Sequence, residues 1–161
     1  MGLDIRTAVA NTAVVGRCSS CGRECEDCAQ DWIYVDGPSV YFAYVMFTDL
    51  RVKLAREDGI DLRSMWGFGG FGRADATLKP WADVDSRLEP LLNHSDCAGE
   101  LTTEQCAEVA PRLREILESP HWAALLRMGF DDQECWEARR AADLLTVLEA
   151  CAEHGWTAVF S

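Results

Sequence analysis

Apolar and polar positions alternate in Leu3–Val9 (LDIRTAV), a short β-branched run that predicts a first strand. Asp31–Gly37 (DWIYVDG) alternates again and closes on a turn signal, so a second strand is expected, paired with the first. Then the period changes. After Pro38-Ser39, Tyr44, Phe47, Leu50 and Leu54 recur at helical spacing, and Gly59 stands where a C-cap glycine belongs. A helix is expected over about residues 40–58. Trp81–Leu92 reads as a short helix. Thr102 and Gln105 form a capping box before a longer helix, which Pro111 should kink or divide. Ser119-Pro120 opens another short helix, with the serine as cap. Asp132 caps the last one, residues 133–154, whose apolar stripe is Trp136, Leu144, Val147, Leu148 and Cys151. Gly155 ends it, and Trp156–Phe160 looks like a closing strand.

The order strand, strand, helices, strand predicts an α+β fold: a small antiparallel sheet covered by helices on one side. One domain is expected over residues 1–161, with a cysteine-rich loop, residues 17–29, inserted between the first two strands. No internal repeat or long linker divides it.

Composition narrows the function classes. The net charge of −12 disfavours a nucleic-acid binder, which needs a basic face, and also an anionic membrane surface. It suits a soluble protein, a basic partner, or a DNA mimic that occupies a DNA-binding protein. No run approaches the roughly 20 apolar residues of a membrane span. Asp4 and Arg6 interrupt the N-terminus, so it does not read as a secretory signal, and Arg6 stands where a myristoylation motif wants Ser or Thr. A cytoplasmic location is expected. In a reducing compartment, the 8 cysteines read as metal ligands or small buried apolar groups rather than disulfides.

Four of them crowd into RCSSCGRECEDC. Cys18, Cys21, Cys25 and Cys28 make C-x2-C-x3-C-x2-C. Two residues between thiols form a tight turn that aims both sulfurs at one point, and two such turns supply the tetrahedral set that Zn²⁺ takes. Gly22 eases the turn of the backbone toward the sulfurs. Arg17 and Arg23 offset the charge of a tetrathiolate centre; Glu24, Glu26 and Asp27 oppose them. Three residues between the knuckles are fewer than familiar zinc ribbons use. An iron–sulfur cluster, a three-cysteine site with a distant ligand, and no metal at all stay open beside structural zinc. A closed four-ligand zinc site stiffens a loop and leaves no coordination position for catalysis.

A second loop, His94–Gln105 (HSDCAGELTTEQ), is similar to a twelve-residue EF-hand loop: Gly99 falls on the turn glycine, Asp96 on the third position, Leu101 on the eighth and Thr102 on the ninth. His94 replaces the first aspartate, Ala98 offers no oxygen at the fifth position, and Gln105 replaces the bidentate glutamate. The geometry of a turn is kept without a calcium ligand set. His94, Asp96, Cys97 and Cys106 form an alternative transition-metal candidate. The opening MGLD, FTDLRVKLAREDGIDL and LLNHSDCAGELTTEQCAEVAPRLREIL together resemble a set of uncharacterised bacterial and phage proteins, over much of residues 40–120. In those, Asp-Gly is expected where this chain has Ala98-Gly99. The resemblance implies no activity.

Met65–Trp81 (MWGFGGFGRADATLKPW) is neither a P-loop nor a dinucleotide fingerprint; its aromatics pin a loop to the core or form a contact surface. His121 and His154 sit in ordinary helix-end positions, and three scattered histidines argue no catalytic triad. The chain therefore reads as a small zinc-binding protein that works by binding another protein. The alternatives are an acidic DNA mimic or phage-type inhibitor of a host protein, and a metal-dependent hydrolase using His94 and Asp96.

Overall fold

In the computed structural model, which describes residues 2–10, 32–68, 78–95, 98–128 and 133–161, Leu3 and Ile5 alternate with Asp4 and Arg6 to build strand β1 (Gly2–Ala10). β1 pairs antiparallel with β2 (Trp32–Ala43) and with β4 (Thr157–Phe160), and β4 pairs antiparallel with β3 (Gly99–Leu101). The strand order is β2-β1-β4-β3. Helices α1 (Tyr44–Glu57), α2 (Glu89–Leu92), α3 (Thr103–Glu118), α4 (Pro120–Arg127) and α5 (Gln133–His154) complete the fold. The expected α+β architecture, an antiparallel sheet with helices, is what forms. The metal loop assigned to residues 17–29 lies outside the described residues.

One face of the sheet is apolar. Leu3, Ile5, Val40, Phe42, Ala158 and Phe160 are buried beneath α1, α3 and α5. Phe47 of α1 reaches down between Phe42 and Phe160, with ring centroids 5.2 and 5.9 Å apart. Burying each such ring contributes about 2–3 kcal/mol. On the other face, Arg6, Ser39, Tyr41 and Glu100 are exposed, as expected for a sheet packed on one side.

Several boundaries differ from the sequence reading. β2 does not stop at Gly37 but runs on to Ala43, so α1 begins at Tyr44 rather than near residue 40. Val40 and Phe42 pair with Ile5 and Leu3, and that cross-strand burial outweighs the turn signal. The turn residues become a bulge: Val35–Pro38 stand opposite Thr7 alone, where a proline does not interrupt the ladder. A side chain on Gly37 would collide with Thr7. Trp81–Leu92 is two short pieces, a 3₁₀ turn at Trp81–Asp83 and α2. Part of the His94–Gln105 loop is strand β3. Pro111 neither ends nor divides α3: it lies on the exposed side of the helix, as does Ala107 one turn earlier. The capping box forms, with Gln105 N–H donating to Thr102 Oγ1 and Thr102 N–H to Gln105 Oε1. Gly59 and Gly155, at φ 70° and 71°, end α1 and α5. Among the described residues, no helix is long and apolar enough to cross a membrane.

Candidate functional site

Cys18, Cys21, Cys25 and Cys28 lie outside the described residues, but their two ends do not. β1 and β2 pair down to Ala10 opposite Trp32, the last described positions on either side. Directly opposed residues in an antiparallel ladder sit about 5 Å apart. The cysteine segment thus leaves and re-enters the fold at adjacent points.

The second candidate is described in part. Asp96 and Cys97 lie outside the described residues; His94 and Cys106 do not converge on an open site. The His94 ring stacks on Phe160 with centroids 3.9 Å apart, and its Nδ1 donates to the Ser95 carbonyl at 2.6 Å. Burial lowers the His94 pKa and the charge of Arg51 adds to this, while the Ser95 and Glu100 carbonyls pull the other way. Gly99 has φ 138°, and a Cβ there would lie 2.9 Å from the imidazole. Gln105, on the position where an EF-hand places its clamping glutamate, turns back to cap α3 instead.

Cys106 is buried in the core. Its thiol lies 3.6 Å from the Leu101 carbonyl and in hydrogen-bond reach of Cys151. That contact with Cys151, together with burial, pushes the Cys106 pKa up and keeps it a thiol. Cys106, Cys135 and Cys151 are free and buried, which fits the small-apolar-group reading of those three. Among the described residues, no group of three or more His, Cys, Asp and Glu side chains is placed to share a metal ion.

Two polar features escaped the sequence reading. Arg51 is fully buried in α1, its guanidinium 4.6 Å from the Phe47 ring centroid and 4.8 Å from that of Phe68. It donates to the carbonyls of His94 and Leu92 and so ties the exit of α2 to the core. Phe68 also packs edge-on against Trp81, whose Nε1 donates to the Trp66 carbonyl at 2.9 Å, so the described part of the glycine-rich loop is pinned by its aromatics.

The other feature is a cleft of about 200 Å³ among α1, α4 and α5. Glu137, 1% exposed, forms its floor and is ion-paired with Lys53. Trp122 forms a wall, and its Nε1 donates to Glu57 Oε1 at 2.8 Å. Arg56, His121 and Leu125 complete the lining. Lys53 and Glu57 are one helical turn apart, a spacing visible in sequence. The approach of Glu137, 84 positions away from Lys53, is not.

No protein-family model, curated protein or solved structure matches the chain.

Proposed function

We propose that the chain is a non-enzymatic, cytoplasmic binding protein, in which Cys18, Cys21, Cys25 and Cys28 hold a structural zinc ion and a protein partner docks beside them. The single observation behind this is the β1–β2 ladder, closed at Ala10 opposite Trp32. A segment whose ends are held side by side loses less chain entropy when four of its thiolates close on one ion than a segment with free ends does.

The adjoining strand supports a docking role. Ile33, Tyr34, Tyr41 and, just after the strand, Val45 are exposed large apolar residues. Tyr34 lies under the Arg6 guanidinium, 5.4 Å from ring centroid to carbon. Tyrosine and arginine together are typical of protein-binding patches.

The test is affinity capture from the source cells with full-length wild type, Tyr34→Ala/Tyr41→Ala and Cys21→Ser/Cys25→Ser baits. One protein retained by wild type and lost with both variants supports the reading. A partner retained equally by all three baits overturns it.

A further inference from the structure

Beyond this reading, the cleft among α1, α4 and α5 has the chemistry of a ligand site. Its two acids are already matched: Glu137 is paired with Lys53, and Glu57 accepts the Trp122 indole N–H. Its other polar groups are not. Among the described residues the Arg56 guanidinium and the His121 imidazole have no hydrogen-bond or ion-pair partner.

That is unusual in this chain. The net charge is −12, so carboxylates outnumber the cations available to them. Arg6, Arg87, Arg112, Arg114 and Arg140 are each ion-paired. Arg56 shares its lack of a partner with Lys79 and Arg127 only, among the described Lys and Arg residues. It lines a cavity whose wall is the indole of Trp122, 2% exposed and held in place by Glu57. Leu125 continues that wall.

We propose that this cleft binds a small monocarboxylate: the carboxylate on Arg56 and His121, the apolar body against Trp122 and Leu125. A guanidinium offers two parallel N–H donors that match a carboxylate's two oxygens. A volume of about 200 Å³ suits a molecule of a few carbon atoms. Lys53 and Arg56 balance Glu57 and Glu137 in the lining, so the cleft carries no formal net charge and a monoanion is favoured over a phosphate dianion.

The test is an NMR titration of ¹⁵N-labelled full-length protein with sodium butyrate, then with inorganic phosphate, each at ionic strength matched by sodium chloride. The reporter is the Trp122 indole N–H resonance, assigned by its absence in Trp122→Phe. Butyrate should shift it saturably, and phosphate should not. Arg56 is exposed and unpartnered, so Arg56→Ala should fold as wild type does and weaken butyrate binding at least about tenfold, with Arg56→Lys between the two. If Trp122→Phe fails to fold, ligand-observed saturation transfer to the butyrate methyl group reads the same comparison in wild type and Arg56→Ala. No saturable effect of butyrate, equal binding by Arg56→Ala, or a response to phosphate alone would overturn the assignment.

Discussion

The imidazole of His94 rests on the ring of Phe160, centroids 3.9 Å apart, in space left open by Gly99, the residue paired with Phe160 across the ladder. Gly99 is needed twice over: φ is 138°, where a side chain is strained, and a Cβ would press on the imidazole at 2.9 Å. Gly99→Ala should therefore destabilise the fold by about 2 kcal/mol. Urea unfolding of wild type and variant checks this; an unchanged midpoint would show that the loop relaxes freely.

The same histidine makes stability depend on pH. Burial holds the folded pKa of His94 below its ordinary value of 6.5. Between those two values the unfolded chain binds a proton that the folded chain refuses, so stability is complete above the ordinary value and falls as pH drops through this window. His94→Phe keeps a flat ring against Phe160 and removes the titration. The urea midpoint of wild type should decline as pH falls below about 6.5 more steeply than that of the variant. Parallel declines would assign the effect to other groups.

Arg51 also joins the loop to the core. Replacing it by Met keeps the bulk between Phe47 and Phe68 but orphans the His94 and Leu92 carbonyls. Arg51→Met should cost about 3 kcal/mol, and Arg51→Lys nearly as much, because a single ammonium cannot replace the guanidinium's forked donors beside two rings. A lysine variant as stable as wild type would mean that charge alone matters here.

The cap of α3 gives a smaller and more local effect. Thr102 and Gln105 satisfy one another's backbone N–H groups. Thr102→Ala should lower stability by about 1 kcal/mol, and Gln105→Ala by less, as read from thermal unfolding by circular dichroism. Equal and negligible losses would mean that packing alone sets the start of α3.

Local rules made much of the fold legible. The capping box, the glycines after α1 and α5, the stripe Leu144, Val147, Leu148 and Cys151, and the closing strand all rest on neighbours within a few residues, and all appear. What failed depended on distant partners. Nothing local to Gly37-Pro38 says that Val40 and Phe42 will find Ile5 and Leu3, so a bulge read as a strand's end. Gly99–Leu101 is a strand only because Ala158 and Phe160 lie beside it. Buried Arg51 sits between Leu50 and Leu54 in a helix otherwise read by its apolar stripe, and the rings that enclose it are not legible from that spacing. The cleft joins residues of three helices for the same reason.

The central claim concerns Cys18, Cys21, Cys25 and Cys28 and is open to direct assay. Protein purified without chelator should contain about one zinc per chain by elemental analysis, and Cys21→Ser/Cys25→Ser should contain none and unfold at lower temperature. Wild-type protein free of zinc, or with these cysteines joined in disulfides, would contradict it.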